Sequence, residues 1–137
     1  MTVRYFLDTN ILIYAASANP TEARKRKRAA EIIAGGDFGI SGHVLAEFYT
    51  VVTTKGRPPM PPLRALSWIE QLDQQPFVPI DAMLVRRGIE ISVRFKTSYW
   101  DGAIIAAAEA LGAKTIFSED LSHGHAYGDV EVRNPFL

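Results

Sequence analysis

Short apolar segments with β-strand composition alternate in this chain with longer segments of helical periodicity, and this alternation constrains the fold more than any other feature. The strand-like runs are residues 3–7, 38–40, 77–80, 114–117 and 130–132, and helical patterns occupy most of the intervals. Such alternation predicts βαβ units, a parallel sheet and helices on both of its faces. With 137 residues, the chain is expected to form one α/β domain over residues 1–137.

Capping and helix-breaking residues place the helix ends. Asn19 followed by Pro20 predicts a helix that continues to about Ala34, before the glycine pair at 35–36. Four prolines within residues 55–62 predict a loop there. The residues predicted to cap three further helices are Ser41, Asp81 and Ser98.

Composition excludes several classes of protein. The absence of cysteine rules out disulfides, zinc–thiolate sites and thiol nucleophiles. No apolar run approaches the roughly 20 residues of a membrane span, and no signal peptide is evident, so we expect a cytoplasmic protein with no membrane contact. The formal net charge is +0, which argues against binding to nucleic acid through bulk charge alone.

Four acidic positions stand next to apolar sequence, where a carboxylate is costly. Asp8 follows the first strand, Asp101 precedes a nearly uncharged helix, and Glu47 flanks the apolar stripe of another helix. The fourth acid is Glu119 or Asp120, just past a later strand, and Asp120 is preferred. Asp8 and Asp101 also suit helix caps and Glu47 also suits a solvated face, so each has a structural alternative.

Carboxylates brought together raise one another's pKa, and a divalent cation removes that penalty. A site whose ligands are all carboxylate oxygens favours Mg²⁺ or Mn²⁺ over Zn²⁺. Here those oxygens would come from Asp8, Glu47, Asp101 and Asp120. Such a cation lowers the pKa of a bound water and neutralises charge on a phosphoryl oxygen, the tools needed for phosphodiester hydrolysis. Because parallel strands present ligands at their carboxyl ends, Asp8 and the 119–120 pair should lie on one edge of the sheet.

The chain resembles the PIN-domain ribonucleases, especially the VapC-type toxins of type II toxin–antitoxin pairs. The resemblance is carried, in order along the chain, by residues 6–12 (FLDTNIL), Ser41 with Glu47, residues 99–108 (YWDGAIIAAA) and residues 118–121 (SEDL). It implies a three-layer α/β/α sandwich with a short parallel sheet, and a Mg²⁺- or Mn²⁺-dependent endoribonuclease.

The resemblance also implies roles for individual residues and partners. Asp8, Glu47, Asp101 and Asp120 match the catalytic, metal-binding acids. The supporting polar positions are Asn10 and Ser118, with Glu119 as the alternative to Asp120. The implied partners are an RNA substrate, a small cognate antitoxin whose tail enters the acidic groove, and a second copy of the chain in a homodimer.

The sequence also contains a dense basic run, two tryptophans and a pair of histidines in one loop. Residues 24–28 spread around a helix, which suits a solvated face, although contact with RNA is the preferred interpretation. Trp68 and Trp100 are interpreted as packing residues, and His123 and His125 as parts of a solvated loop. The apolar stripe of residues 63–72 suits the core or a dimer and antitoxin surface. The residues expected to bind RNA are Arg24, Lys25, Arg26, Lys27 and Arg28.

Two alternative functions compete with the nuclease. An aspartate after the first strand also suits an aspartate-nucleophile phosphatase of the haloacid dehalogenase type, but such enzymes have a second acid where this chain has Asn10. The other alternative is a non-catalytic RNA- or protein-binding module on the same fold. Loss of one acid would indicate such a module, whereas all four positions are filled here.

Overall fold

A computed structural model describes residues 2–137, and its strands form one six-stranded sheet. The helices are α1 to α6 in chain order, and a 3₁₀ turn at Pro20–Glu22 precedes α2. The strands are β1 Tyr5–Leu7, β2 Phe38–Ser41, β3 Phe77–Val78, β4 Thr115–Phe117, β5 Ala126–Tyr127 and β6 Val130–Arg133. The helices are α1 Thr9–Ala16, α2 Ala23–Gly35, α3 Gly42–Thr54, α4 Pro62–Leu72, α5 Ala82–Phe95 and α6 Tyr99–Ala110.

The strand order is β3-β2-β1-β4-β6-β5, and the first five strands of this order are parallel. Strand β5 is antiparallel to β6, so the sheet departs from the purely parallel expectation at one edge. The two-residue strand β5 directly follows His123 and His125, which were predicted to lie in a loop. The chain proceeds from β1 outward through β2 and β3, and then returns to place β4 on the other side of β1. The sheet therefore has a switch point between β1 and β4.

Helices pack on the sheet in two groups, which gives the expected three-layer α/β/α arrangement. Helix α6 contacts β1, β2, β4 and β6 and packs along α5, while α1 joins α2 and α3, and α3 joins α4. The core is continuous through these layers, with Phe6, Phe48, Ile105 and Ile116 fully buried. Successive residues of β1 are buried, as expected for a central parallel strand covered on both faces.

The predicted caps are present, but one predicted helix is divided. The Ser41 hydroxyl accepts a hydrogen bond from the backbone of Val44 at 3.3 Å, and Ser98 accepts one from Asp101 at 3.1 Å. Asp81 caps α5 in the same way. The helix expected from Asn19 to residue 34 is instead the 3₁₀ turn followed by α2, which ends at Gly35.

Helix α4 only partly fits the apolar stripe read from its sequence. Leu72 is buried, but Leu63 is 79% exposed and Leu66 is 45% exposed. The amino-terminal half of this helix therefore presents apolar side chains at the surface. Within residues 2–137, no helix is both long enough and apolar enough to cross a membrane.

Candidate active site

An acidic cleft of about 590 Å³ opens at the carboxyl end of the sheet, beside the switch point between β1 and β4. Asp8 follows β1 and Asp120 lies three residues beyond β4, while Glu47 comes from α3 and Asp101 from α6. All four line the cleft. The structure thus brings to one place the four acids that the sequence singled out.

A smaller cavity of about 280 Å³ lies next to the cleft, between the end of α1 and the proline-rich loop. The two cavities share Val51 and Lys55 in their linings. Among the described residues, one acid, Glu22, lines the smaller cavity. Because the carboxylates are concentrated in the larger cleft, that cleft is the candidate active site.

Asp8 is both the N-cap of α1 and a wall of the cleft. Its Oδ1 accepts a hydrogen bond from the backbone of Thr9 at 2.7 Å, and its Oδ2 accepts one from the Ser118 hydroxyl at 2.7 Å. The amide of Asn10 approaches the same Oδ2 at 3.4 Å. The capping and functional alternatives for Asp8 are therefore compatible.

The environment of Asp8 favours its neutral form. Burial is the main cause that raises the pKa of Asp8 to about 6, and the nearby charges of Asp120 and Glu47 add to it. The hydrogen bonds from Ser118 and Thr9 act in the opposite direction and do not compensate. A carboxylate in this setting gains from a nearby positive charge.

Asn10 and Ser118 connect the two strand ends that carry acids. The Asn10 amide donates to Asp120 Oδ2 at 3.2 Å, and its Oδ1 accepts from the backbone of Glu119 at 3.1 Å. The Ser118 oxygen accepts from the backbones of Asp120 and Leu121, both at 3.1 Å. These bonds fix the turn after β4 relative to β1, so both side chains orient the acidic residues around them.

Glu119 and Asp120 face different surroundings. Asp120 lines the cleft, whereas Glu119 forms an ion pair with Lys25 and accepts a hydrogen bond from the Tyr14 hydroxyl at 2.5 Å. Burial alone would raise the pKa of Glu119, but the bonds from Lys25 and Tyr14 outweigh it and leave that pKa below its ordinary value. The Glu119 carboxylate is therefore already paired, on the side of the turn that faces α2.

The donor set of the cleft fits a hard divalent cation such as Mg²⁺. The observation that carries this fit is the set of carboxylates lining the cleft, of which Asp8 and Asp120 lie close enough for the Asn10 amide nitrogen to hydrogen-bond to both. Within residues 2–137, no three acidic or histidine side chains are arranged to hold a metal ion together. Mg²⁺ is commonly held by one or two carboxylates with waters, so a pair of acids satisfies its direct coordination.

The basic run of α2 does not line the cleft. Lys25 is paired with Glu119, and Arg24 donates to the Phe136 carbonyl at 3.1 Å. Arg26 and Arg28 donate to the Ser17 and Pro135 carbonyls at 3.4 and 3.3 Å. Of the five, Lys27 is an exposed residue for which no such bond is formed within the described chain.

Trp100 departs from its predicted role as a packing residue. It is 66% exposed and lines the cleft beside Asp101, whereas Trp68 packs on Phe48 with ring centroids 6.3 Å apart, as expected. An aromatic residue in the first turn of a helix packs inward only if that turn faces the core. The amino-terminal turn of α6 faces the cleft instead.

His43 and Lys55 are cleft residues that the sequence reasoning missed. His43 precedes Glu47 by four residues on α3, the spacing that puts two side chains on one helix face, and this was the available signal. Burial lowers the pKa of His43, which favours the uncharged ring. Lys55 lies at the far end of the same helix and carried no local signal.

His123 and His125 lie outside the cleft, on the exposed segment before β6. The Nδ1 of His123 accepts a hydrogen bond from the backbone of Asn134 at 3.0 Å. The ring of His125 packs on Tyr127 with centroids 4.4 Å apart. These contacts agree with the predicted loop role.

Comparison with known proteins places the fold in a well-defined group. The sequence model of the PIN domain matches residues 5–128. Among solved structures, the sarcin–ricin loop cleaving toxin VapC20 of Mycobacterium tuberculosis is similar over 85% of this chain and 91% of its own, with 20% identity and a TM-score of 0.64. Comparison with curated proteins yields no match.

Two further solved structures are similar over almost their full length. One is a toxin–antitoxin complex from Klebsiella pneumoniae, with 16% identity, a TM-score of 0.69, and coverage of 96% of this chain and 97% of that chain. The other is DNA-bound VapBC from Salmonella typhimurium, with 18% identity, a TM-score of 0.65, and coverage of 98% and 99%. At such identities these structures establish a common fold.

Proposed function

Because the chain belongs to the PIN domain family, we propose that it is a divalent-metal-dependent endoribonuclease, the toxin of a cytoplasmic toxin–antitoxin pair. The observation that carries the proposal is the single cleft lined by Asp8, Glu47, Asp101 and Asp120. Two of these acids follow adjacent parallel strands and two come from separate helices. A helix-capping role alone accounts for Asp8, but not for the convergence of all four.

Asp8 and Asp120 are the residues that would hold Mg²⁺ or Mn²⁺ directly, with Glu47 and Asp101 facing the same space. When bound there, the cation would supply a water of lowered pKa and would neutralise charge on a phosphoryl oxygen. Ser118 and Asn10 hold the carboxylates of Asp8 and Asp120 in place. Their role is to orient the acids, so that little rearrangement is needed when substrate arrives.

The toxin role is supported by the solved structures that share the fold. Those structures include a toxin that cleaves the sarcin–ricin loop and toxin–antitoxin complexes. An acidic cleft is a suitable dock for the positively charged tail of a small antitoxin protein. The exposed Leu63 and Leu66 of α4 offer apolar area for that antitoxin or for a homodimer.

Contact between the basic run and RNA is also part of the proposal, at a distance from the reacting phosphate. Arg26 and Lys27 are exposed on α2, while none of residues 24–28 lines the cleft. An RNA strand bound in the cleft would contact these basic residues only where the strand extends beyond the cleft. This role would appear as a loss of RNA affinity in Arg26→Glu, with a weaker dependence of affinity on salt.

Cleavage of mixed RNA, with and without a chelator, tests the proposed activity. Asp8→Asn and Asp101→Asn are each expected to lower the metal-dependent rate by about 10- to 100-fold, because each removes a charge from the cation-binding cleft. Asp73→Asn, the same chemical change at an exposed acid outside the cleft, is the matched control and should retain the wild-type rate. Full metal-dependent cleavage by Asp8→Asn would contradict the mechanism.

A binding module without catalysis is the second candidate, and one observation favours it. The described residues provide no ready cluster of three metal ligands. If wild-type protein bound RNA but left it intact at saturating Mg²⁺ and Mn²⁺, this second function would replace the first.

A further inference from the structure

Trp100 is an exposed indole at the wall of an acidic cleft. It is 66% exposed, although tryptophan is usually among the most buried side chains of a folded protein. It precedes Asp101 in the first turn of α6 and lines the same cleft as Asp8 and Asp120. An aromatic surface held in water next to a catalytic cleft is a typical feature of a ligand-binding site.

The indole is supported by two other rings, so its position is largely fixed before any ligand binds. The Trp100 ring meets His43 edge to face, with centroids 5.4 Å apart at 88°, and meets Tyr99 at 5.2 Å and 75°. His43 Nε2 and the Tyr99 hydroxyl lie 3.1 Å apart and share a hydrogen bond. Ser98 fixes the backbone of the same turn through its bond to Asp101. A ligand stacking on this surface therefore pays little ordering entropy.

The charge of the cleft shows why such a surface is needed. Four carboxylates line the cleft, and among the described lining residues Lys55 alone has a fixed positive charge. Phosphate groups are therefore repelled from the cleft unless cations bind there. A phosphodiester substrate therefore gains from an additional interaction that does not depend on its charge. Stacking of a nucleobase on an aromatic ring has this property, and it changes affinity by roughly 5- to 150-fold per base.

We propose that the Trp100 indole, braced by His43 and Tyr99, stacks on one unpaired nucleobase next to the phosphate that is cleaved. The inference rests on the proposed ribonuclease function and gives Trp100 a part in binding the base beside that phosphate. Bases in a duplex are stacked on their own neighbours and cannot present a face to the protein. Stacking is tolerant of base identity, so this contact selects unpaired structure rather than a particular sequence.

Tryptophan emission provides a direct measurement of this contact. The chain has two tryptophans, so Trp68→Phe leaves Trp100 as the one reporter. With Mg²⁺ present and the signal read by rapid mixing before cleavage, an unpaired RNA oligonucleotide should quench that emission. An oligonucleotide of the same length and charge with abasic sites, and an RNA duplex, should quench it much less. Equal quenching by the abasic strand would overturn the proposal.

Affinity measured with labelled RNA in the otherwise wild-type chain is the second test, and it does not depend on the reporter variant. Trp100→Ala should weaken binding of unpaired RNA by roughly 5- to 150-fold, and Trp100→Phe by less. Tyr49→Ala removes an exposed aromatic ring that does not line the cleft and should leave affinity unchanged. The Trp100→Ala factor should be the same at low and high salt, whereas the Lys55→Ala factor should shrink as salt rises.

The outcomes separate this inference from the proposed function. Wild-type protein that cleaves RNA, together with Trp100→Ala that binds unpaired RNA normally, would overturn the stacking role alone. Wild-type protein that does not cleave RNA would overturn the proposed function, whatever the fluorescence shows. Emission of Trp100 that changes with protein concentration in the absence of RNA would assign the indole to contact with a second copy, and would overturn the proposal.

Discussion

Asp8 has a structural role and a chemical role, and the first stabilises the folded protein whereas the second destabilises it. As the cap of α1 it satisfies the backbone of Thr9, which stabilises the fold. As a buried acid whose pKa is raised to about 6, it destabilises the fold wherever it is ionised. At neutral pH the buried, ionised carboxylate lowers the free energy of unfolding, and a bound cation would remove this loss.

This balance predicts a pH-dependent stability for the metal-free protein. Between about pH 4 and pH 6 the folded state holds a proton on Asp8 that the unfolded state has released, so the free energy of unfolding falls as pH rises through this window. A change of about two pKa units corresponds to about 3 kcal/mol. Asp8→Asn should therefore stabilise the chelated protein at about pH 7 by about 1–2 kcal/mol, less than the full amount because the bond from Ser118 is weakened.

Urea unfolding at several pH values in the presence of a chelator measures this effect. The advantage of Asp8→Asn should vanish at about pH 4, where the wild-type carboxyl is neutral in the folded state. Asp101→Asn, at a half-exposed acid of the same cleft, is the matched comparison and should give a smaller change. An Asp8→Asn protein that is less stable than wild type at every pH would contradict the assignment.

Residue-level features were predictable where their cause is local. The caps at Ser41 and Ser98 and the strand-end position of Asp8 follow from neighbours in the chain, and the structure confirms them. The Lys25–Glu119 pair was not predictable, because 94 positions separate the partners. The role assigned to Trp100 was wrong for a related reason: its exposure depends on which side of α6 faces the cleft, and tertiary packing decides that.

At the scale of elements, the contact between α5 and α6 positions the part of the cleft that bears Asp101. The helices approach closely where each has a glycine, Gly88 on α5 and Gly102 on α6. A Cβ at Gly102 would collide with the carbonyl oxygen of Gly88 and lie 3.0 Å from the backbone nitrogen of Ser92. Because backbone atoms form this contact, a side chain cannot be accommodated by a rotamer change.

Gly102→Ala is accordingly expected to destabilise the protein by about 1–3 kcal/mol, since the helices must separate. Because Gly102 follows Asp101 directly, cleavage should also fall. Gly35→Ala is the control, at a helical glycine with nothing within 4 Å of the added Cβ, and it should be neutral or stabilising by up to about 1 kcal/mol. Thermal unfolding and a cleavage assay of both variants provide the test, and equal stability of the two would refute the packing argument.

The parallel strands of the sheet were easier to predict than the antiparallel strand β5 at its edge. Alternating strand and helix patterns gave the α/β class, and the PIN family match confirms the family that the acidic motifs indicated. Strand β5 was missed because its two residues, Ala126–Tyr127, lie between Gly124 and Gly128 outside any apolar run, unlike β3, which belongs to the apolar run of residues 77–80. The 3₁₀ turn before α2 was missed because the same cap and proline signals begin either type of helix.

At the scale of the whole molecule, equal numbers of acidic and basic residues conceal an uneven distribution of charge. The chain has 15 of each, yet four acids share one cleft in which, among the described lining residues, Lys55 alone carries a fixed positive charge. Folding therefore gathers like charges at one end of the sheet. A ligand that binds only this arrangement stabilises the folded state by mass action.

Mg²⁺ is expected to raise the unfolding temperature of the wild-type protein. At a concentration 100 times its Kd, a single bound ion adds about 2.7 kcal/mol to the free energy of unfolding. The double variant Asp8→Asn, Asp120→Asn should lose most of this gain, whereas Asp73→Asn should retain it. Thermal unfolding across a Mg²⁺ titration, repeated with a chelator, measures the difference. Equal shifts in wild type and the double variant would show that Mg²⁺ binds elsewhere.

The pairing of β1 with β4 also determines when the cleft can form during synthesis of the chain. Asp8 precedes Asp120 by almost the whole chain, and Asn10 and Ser118 connect them only when both strands are in the sheet. At a synthesis rate of about 5–20 residues per second, residue 120 is added on the order of ten seconds after residue 8. A nascent chain that ends before β4 has no second strand end to face Asp8. A complete cleft therefore forms only after nearly the whole chain has been made.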